Sequence, residues 1–481
     1  MSEVVYSSLK KQFVGLDTQY PLATGKMQRR IYLDSGASSL MFRPAMKTVA
    51  AYLAHYANTH TTVHSSAKIT SAAMAWANEM VLDFVNAPAP DYVCAFLGSG
   101  TTAAANRVAQ GLAATRAGKE VVLVSSMEHH SNDLPHRHHS KIVEHIPLVG
   151  EGAHPGQVDL DALEGLLKRH AGKVNYIAVT GVSNVTGILN PLADMAQLAH
   201  AHGALMVVDG AQMVAHAPVD LAGCDIDFFI FSGHKVYAPG SPGVMVGRRE
   251  LVEAMSPTQL GGGMVGAVSK WGYDLATSLE DREQAGTPNI PGTLALACVL
   301  SALNKLGMDE VFEREKALAQ WTLQQFANIP GVTVYGDLAI ERVGTITFNV
   351  DGVGHGLVAA ILNDYHGIAV RNECFCAHPY VQDMLKDSFS ELAEQAVSLD
   401  NAAMEALFQV HRGMVRASFG LYTDQRDIEQ LVAAVSDISQ HADQYCQQYQ
   451  ALASGQYQHI EYNPVPEQLF DIEQTLNQFL R

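Results

Sequence analysis

The chain has 481 residues, of which 48% are hydrophobic and 17% are charged, an ordinary composition for a globular protein of two or three domains. Its net charge of −18 argues against nucleic acid or an anionic membrane as the main partner, although it leaves room for a local basic phosphate pocket. The first residues show no basic segment followed by an apolar stretch, so we expect no signal peptide, and no apolar run approaches the roughly 20 residues of a membrane helix. The scattered cysteines favour a cytoplasmic protein over a disulfide scaffold.

The first ninety residues predict an arm, a strand and two helices. Residues 1–30 are mixed and polar, and we interpret them as an arm. The segment 31–39 predicts a strand followed by a turn of small residues. Helical spacing follows over 43–56, and a second helix is predicted over 71–85. The polar segment 58–66 between them is predicted to be a loop.

From residue 92 onward, short apolar strands alternate with helical stretches, and each strand ends in a polar cluster. This alternation implies parallel pairing in an α/β layered sheet, whose ligand site lies beyond the carboxyl ends of the strands. The polar clusters fall at that edge. They are Gly98–Thr102, Met127–Asn132, Val182–Gly187, Asp209–Gln212 and Ser232–Lys235.

The pattern changes after a glycine-rich, irregular stretch at 258–292. A long helical pattern covers about 292–326, and Thr345–Val350 and Val415–Phe419 read as strands. These elements predict a smaller α+β domain. The predicted division is a large domain over residues 30–292 and a small domain made of residues 1–29 and 293–481, which include the N-terminal arm and a C-terminal tail.

Lys235 and Asp209 form the most informative pair. Lys235 follows a buried aromatic strand, where a desolvated amine loses its proton easily and becomes a nucleophile for carbonyl groups. Alone it could equally be a lysine that reaches the surface, and Asp209 alone could be a helix N-cap. Together they suit pyridoxal 5′-phosphate (PLP), since lysine forms its Schiff base and aspartate keeps its pyridine nitrogen protonated.

Two further groups fit that cofactor. The backbone and hydroxyl groups of Gly98–Thr102, at the start of a helix, would bind a phosphate, although an ordinary capped turn is the alternative. His129, just past a strand end, could stack on a flat ring or move protons. The histidine-rich segment 136–139 lacks a closed ligand set, so we expect no metal site.

The segment Cys374–Pro379 holds a second candidate nucleophile. A loop cysteine near Arg371 and His378 is favoured as a thiolate. A fragment of a metal site or a redox pair are the alternatives for its two cysteines. Arg416 could hold a substrate carboxylate through two parallel hydrogen bonds, or form a surface ion pair.

These motifs resemble those of class V PLP enzymes of aminotransferase fold type I, and most closely the cysteine desulfurase and selenocysteine lyase branch. The resemblance covers roughly residues 30–435 and implies a large domain with a mostly parallel sheet between helices, plus a smaller α+β C-terminal domain. The matching segments are Tyr32–Asp34, Gly100–Thr102, Met127–His130, Val182–Val185, Val208–Gln212, Phe231–Lys235, Ala285–Asn289, Gly367–Arg371 and Arg416–Ser418.

The resemblance implies a role for each matching residue around PLP. Lys235 would carry the cofactor and move the proton at the substrate α-carbon, Asp209 would pair with the pyridine nitrogen, and His129 would stack on the ring. Two amides would lie near the ring hydroxyl, Asn184 and Gln212. The phosphate would be bound by Thr101, Thr102, Ser232 and His234. Thr287 would reach the phosphate of a neighbouring subunit, which implies a homodimer with its sites at the interface.

The resemblance also implies a reaction. Cys376 aligns with the nucleophile that removes sulfur, or selenium, from a small L-amino acid, leaving alanine and carrying the sulfur as a persulfide. Arg371 and Arg416 are the candidates for binding the substrate carboxylate, and His64 is a further candidate for substrate binding. A sulfur-acceptor protein would be a second partner.

The chain departs from that branch at the substrate mouth. Relatives carry His-His-Cys where this chain has Cys374–Cys376, the excursion over 380–412 is longer, and the tail from about residue 440 has no counterpart. These departures keep open another class V reaction, such as transamination, epimerisation or elimination. A binding protein without activity is a third hypothesis, against which the intact Lys235, Asp209 and His129 argue.

Overall fold

The computed structural model describes residues 3–386, 412–452 and 456–480. Its strands, numbered β1–β19 in chain order, are Gln19–Pro21, Met27–Arg29, Ile31–Tyr32, Tyr92–Leu97, Val121–Ser125, Ile142–Ile146, Val174–Thr180, Leu205–Asp209, Phe228–Ser232, Gly243–Arg248, Val265–Val268, Tyr273–Leu275, Val332–Val334, Thr345–Val350, Ile368–Ala369, Arg371–Glu373, Met414–Ser418, Tyr449–Ala451 and Tyr457–His459.

The α-helices, numbered α1–α16, are Glu3–Lys10, Arg43–Leu53, Ser65–Phe84, Gly100–Thr115, Leu134–His139, Leu160–Arg169, Leu192–Ala201, Arg249–Ala254, Leu279–Arg282, Ile290–Leu306, Met308–Phe326, His355–His366, Gln425–Gln440, Ala442–Cys446, Pro466–Leu469 and Ile472–Phe479. Residues 378–386 are also helical. Most of the predicted 380–412 excursion, residues 387–411, lies outside the described residues.

A seven-stranded sheet organises the first half of the chain. Its strand order is β4-β10-β9-β8-β7-β5-β6, and the strands are parallel except β10, which pairs antiparallel with both of its neighbours. The predicted α/β class with a mostly parallel sheet is confirmed. Because β4, β5, β7, β8 and β9 run the same way, their carboxyl ends meet at one edge.

Helices cover both faces of this sheet, which explains why its strands read as continuous apolar runs. Alternate residues of one strand belong to different cores: Tyr176 packs with α4 on one face, whereas Ile177 packs with α6, α7 and α10 on the other. Helix α10 lies against α2 and α3. All seven residues of β7 are buried as a result.

A four-stranded antiparallel sheet, in the order β13-β14-β17-β16, forms a second layer with its own core against α11, α12 and α13. The N-terminal arm joins this part of the molecule. Lys10 of α1 forms a buried ion pair with Asp427 at 2.6 Å, and β3 pairs in parallel with β15. The domain boundary at residue 292 stays a prediction.

Three helix predictions were wrong in their limits. Helix α2 ends at Leu53, three residues before the predicted end. Helix α3 starts at Ser65, six residues before the predicted start, because His64 caps it by accepting a hydrogen bond from the Ala67 N–H at 3.2 Å. The helical pattern over 292–326 is two helices, α10 and α11, bent by 81° at Gly307, whose φ of 84° favours glycine.

Residues 258–292 are more regular than predicted, since they contain the antiparallel hairpin β11–β12 and the short helix α9. In the described part of the chain, no single helix is long and apolar enough to cross a membrane. The bent α10–α11 pair taken together has the length and composition of a membrane span.

Candidate active site

A cavity of about 600 Å³ opens at the carboxyl edge of the seven-stranded sheet, within the usual size range of small-molecule sites. The structure brings most of the predicted site residues together around it. Those lining the cavity are Thr101, Thr102, His129, Asn184, Asp209, Gln212, Ser232, His234, Lys235, Arg371, Cys376 and Arg416.

The floor of the cavity holds Asp209 and Lys235, each placed by the end of a strand. Asp209 closes β8, is only 3% exposed, and accepts a hydrogen bond from the Ala211 N–H at 2.9 Å. Lys235 lies three residues beyond β9, in a short 3₁₀ turn. Desolvation lowers the pKa of its amine to about 8, against the opposing effect of Asp209, so a minor part of the amine is neutral near pH 7.

His129 lies beside this pair and is held as a neutral base. Its Nδ1 accepts a hydrogen bond from the Ser131 N–H at 3.0 Å. Burial, with the nearby Lys235, lowers the pKa of His129 to about 3. A neutral imidazole can present its flat face to an aromatic ring without the cost of burying a charge.

The start of α4 forms the polar end of the cavity. The Thr101 N–H and hydroxyl both lie within hydrogen-bond distance of Ser232 Oγ, at 2.6 and 2.7 Å. Gly100 has a φ of 59°, and a Cβ there would lie 2.6 Å from Ser232 Oγ. Only glycine therefore fits at this position. The helix N-terminus that begins at Gly100, which we call the Gly100 cradle, favours an anion.

Two buried amides tie the cavity walls to other segments. Gln212 donates to the Gly36 carbonyl at 2.7 Å, and Asn184 donates to the Phe375 carbonyl at 2.8 Å. The second contact joins the loop after β7 to the cysteine loop, 191 residues later in the chain. These bonds position the walls, in addition to any contact that the amides make with a ligand.

Arg371 and Arg416 lie directly opposite each other on neighbouring antiparallel strands. Like charges in such a pair repel, so the arrangement suits a bound anion. Arg416 is buried and donates to the Asn184 carbonyl at 2.8 Å, and its Nη2 lies 3.4 Å from Asp34 Oδ1, whereas Arg371 is exposed. The buried Nε of Arg416 has no partner in the described part of the chain. An incoming carboxylate would supply one.

The cysteine loop has a constrained backbone. Glu373, Phe375 and Cys376 all have positive φ, at 89°, 51° and 55°. Residues other than glycine rarely adopt this backbone conformation. Phe375 is buried beneath the Arg416 guanidinium, whose carbon lies 5.0 Å from the ring centre. Cys376 is consequently exposed and lines the cavity.

Cys374 differs from Cys376 in its surroundings. It is buried, and its Sγ donates to the Arg412 carbonyl at 3.0 Å. Burial raises the pKa of its thiol to about 11. All six cysteines lie in the described part of the chain and none forms a disulfide, so the two loop cysteines are separate thiols.

His64 and Thr287 are the two predicted site residues that do not line the cavity. His64 is exposed and caps α3. Thr287 accepts a hydrogen bond from Asn58 at 3.0 Å and lines a neighbouring cleft, next to Asn289, which borders both cavities. Within one chain, neither residue reaches the site.

Two carboxylates close to the site, Asp34 and Glu128, were not predicted to have a role. Asp34 lies in the matching segment Tyr32–Asp34, and its carboxylate could have been recognised as a partner for a buried arginine. Glu128 is buried behind His129 and accepts hydrogen bonds from the Thr180 N–H at 2.7 Å and from Asn132 at 2.8 Å. Its carboxylate, three residues after the buried strand β5 and within the polar cluster Met127–Asn132, was the signal in the sequence.

The residues fit PLP. The Gly100 cradle suits its phosphate, the buried Asp209 suits a protonated ring nitrogen, and the Lys235 amine, which lines the same cavity, suits its aldehyde. His129 borders the space between these groups. In the described ranges, no group of three or more His, Cys, Asp or Glu side chains is arranged to hold a metal ion.

The chain belongs to the class V aminotransferase family, whose model matches residues 31–431, and it is a PLP-dependent enzyme. The expected fold type I is confirmed.

Among curated proteins, the chain is 34% identical to the cysteine desulfurase of Pectobacterium atrosepticum over 429 residues, which cover 87% of this chain and 96% of that relative. It is 32% identical to a probable cysteine desulfurase of Halalkalibacterium halodurans over 418 residues, covering 85% of this chain and 93% of that protein. Among solved structures, it matches the apo cysteine desulfurase of Thermococcus onnurineus with a TM-score of 0.75 and 28% identity, covering 90% of this chain and 98% of that one.

Proposed function

We propose that this enzyme is a cysteine desulfurase, which removes sulfur from a small L-amino acid such as cysteine and releases alanine. The observation that carries the proposal is that one cavity contains both Lys235 and Cys376, with two arginines opposite each other beside them. The resemblance of the chain to curated cysteine desulfurases over most of its length supports the same reaction.

When bound, PLP withdraws electrons from the substrate α-carbon and so weakens the bonds around it. Lys235 would hold the cofactor and then move a proton at that carbon, a task suited to an amine whose pKa is lowered to about 8. Asp209 would keep a positive charge on the ring nitrogen. His129, neutral because of its burial, would pack on the ring without adding a competing charge.

Arg416 and Arg371 would orient the amino acid by its carboxylate, with Arg416 providing the fixed, buried contact. Cys376 would act on the sulfur. Its thiolate attacks the substrate sulfur, the bond between that sulfur and the β-carbon breaks, and the sulfur remains on Cys376 as a persulfide. The β-carbon keeps the bonding electrons and takes up a proton, which gives alanine.

Replacing Cys376 tests this assignment directly. Cys376→Ala should abolish persulfide formation and sulfur transfer, while the cofactor absorbance stays unchanged because the cavity floor is intact. Cys446→Ala, at another exposed cysteine that does not line the cavity, is the matched control. An assay of alanine, sulfide and keto acids over a panel of amino acids would separate desulfuration from transamination. Full sulfide release by Cys376→Ala would contradict the role.

We also propose that the enzyme is a homodimer in which Thr287 contacts the partner's cofactor phosphate. Two exposed segments meet beside Thr287 and support this. His60 Nε2, on the segment before α3, lies 3.2 Å from the carbonyl of Gly286, the residue before Thr287. The apolar side chains exposed on these segments are Tyr56, Val63, Leu260, Val268, Trp271 and Tyr273. Such a patch is typical of an interface.

Sedimentation measurements test the dimer. Trp271, which is 95% exposed, is the residue to change, and Trp271→Ser should shift the equilibrium toward single chains. Phe479→Ser, at an 83% exposed aromatic of the tail, should leave it unchanged. A single-chain mass for the unmodified enzyme would contradict the proposal. A cytoplasmic location and a sulfur-acceptor protein stay predictions.

A further inference from the structure

Two histidines form a pair beside the cysteine loop, and the reaction above leaves them without a task. His130 Nε2 lies 3.2 Å from His378 Nδ1, and the rings stack with centres 4.9 Å apart and planes 10° from parallel. The pair is attached to the reactive loop, because the His130 N–H donates to the Cys376 carbonyl at 2.8 Å. His378 is two residues beyond Cys376 and is exposed.

The hydrogen bonds indicate which nitrogen carries a proton. His130 Nε2 accepts the backbone N–H of His378 at 3.5 Å, so it acts as an acceptor. We therefore assign the proton between the rings to His378 Nδ1, which leaves a lone pair on His378 Nε2. Burial, together with His378, lowers the pKa of His130. Asp133 and Arg137, the nearby charged groups, form an ion pair with each other at 2.7 Å.

We propose that His378, supported by His130, is the base that activates an acceptor thiol in the second half of the reaction, when Cys376 passes on its sulfur. This inference rests on the proposed desulfurase function. The acceptor is defined by its chemistry as a thiol, on a small molecule or on a protein. The exposed position of His378, beside the exposed Cys376, allows such a thiol to approach from solvent.

The step balances without an oxidant or reductant. The acceptor thiol gives its proton to His378 Nε2, and the resulting thiolate attacks the outer sulfur of the Cys376 persulfide. The bond between the two persulfide sulfurs breaks, and its electron pair goes to Cys376 Sγ, which leaves as a thiolate. The imidazolium formed on His378 keeps its Nδ1–H bond to His130 Nε2, which stabilises the charge.

The two halves of the reaction can be measured separately on the PLP-loaded enzyme. Holoenzyme mixed with one equivalent of L-cysteine, and no other thiol, should form one alanine per active Cys376 and gain the mass of one sulfur. Thiol is then added, and loss of that mass is followed. With 2-mercaptoethanol, a thiol largely protonated at neutral pH, His378→Asn should slow the discharge by about 10²-fold, the scale of general-base catalysis.

A more acidic thiol separates a base from a structural residue. With 5-thio-2-nitrobenzoate, which is already a thiolate at neutral pH, His378→Asn should discharge at the unmodified rate, because no proton has to be removed. His130→Gln should show the same pattern with a smaller effect, since it only removes the support for His378. A cysteine-containing peptide in place of 2-mercaptoethanol would show whether a protein thiol obeys the same rule.

The outcomes distinguish the two proposals. Equal discharge to 2-mercaptoethanol by His378→Asn and the unmodified enzyme, or equal slowing with both thiols, would overturn the role of His378 while leaving the desulfurase proposal in place. A normal alanine burst in each variant shows that the variant is folded and loaded. If the unmodified enzyme gives neither alanine nor a persulfide, the desulfurase proposal fails and this inference fails with it.

Discussion

The floor of the cavity differs in construction from its rim, by which we mean the loop that carries Cys376 and His378. Asp209, Ser232 and Lys235 on the floor follow directly from buried parallel strands, so the sheet positions them. At the rim, Cys376 and His378 stand on a segment where three residues have positive φ, and both side chains are exposed. We therefore expect the floor to provide the cofactor chemistry and the rim to provide the reactive contact with substrate and acceptor.

The difference shows where each kind of specificity resides. A rigid floor can serve many class V reactions, since it only has to hold the cofactor and move protons. In the proposed mechanism, the rim decides which atom of the substrate is attacked. The departures from the desulfurase branch fall at the rim and in the tail, while the floor motifs are retained, so we expect cofactor binding and sulfur transfer to be separable by mutation.

The largest effect is expected at the floor. Asp209→Asn keeps an oxygen that can accept the Ala211 N–H, so the fold should survive, but it removes the buried charge that would pair with the ring nitrogen. Losing a buried charge partner costs about 3 kcal/mol, which corresponds to roughly 10²-fold in turnover. Steady-state alanine formation measures it. Asp91→Asn, at the exposed amino end of β4, is the control, and an Asp209→Asn enzyme of full activity would refute the assignment.

An intermediate effect should distinguish the two arginines. Arg416→Lys removes one of the two parallel hydrogen bonds that the buried guanidinium would donate to the substrate carboxylate. Losing one hydrogen bond to a charged group costs about 1.5–3 kcal/mol, or roughly 10- to 100-fold in kcat/KM. Arg371→Lys at the exposed partner should cost less, because solvent screens its charge. Kinetics with L-cysteine measures both, and a larger loss for Arg371→Lys would reverse the proposed division between them.

The smallest effect concerns the backbone of the rim. Glu373 is exposed and has a φ of 89°, so Glu373→Gly should relieve strain and raise the free energy of unfolding by up to about 1 kcal/mol. Glu373→Ala keeps the strained conformation and should show no such gain. Denaturant unfolding compares the two variants. Equal stability of the glycine and alanine variants would show that the loop stores no strain at this position.

The floor could be predicted from the sequence because its signals are local. An apolar run that ends in a polar cluster indicates both a strand and its carboxyl end, so Asp209 and Lys235 could be placed at one edge before any contact was known. The start of α3 was misplaced for a local reason too. The polar residues before it supply the cap of the helix and resemble a loop in the sequence.

The rim could not be predicted in this way, because its contacts join distant parts of the chain. The pairing of Arg371 with Arg416 depends on the register of β16 and β17, and His130 meets His378 across 248 residues. The bend at Gly307 likewise depends on how α10 and α11 pack, since the helical spacing runs through it. Side-chain pattern alone contains no information on such tertiary pairings.

Covalent attachment of PLP to Lys235 is the claim on which the desulfurase proposal and the proposed role of His378 depend. The direct measurement is reduction of the PLP-loaded enzyme with borohydride, followed by digestion and mass spectrometry of the peptides. We predict one modified peptide, with the reduced pyridoxyl phosphate adduct on Lys235. An adduct on another lysine, or an enzyme that binds the cofactor and yields no adduct at all, would contradict the account.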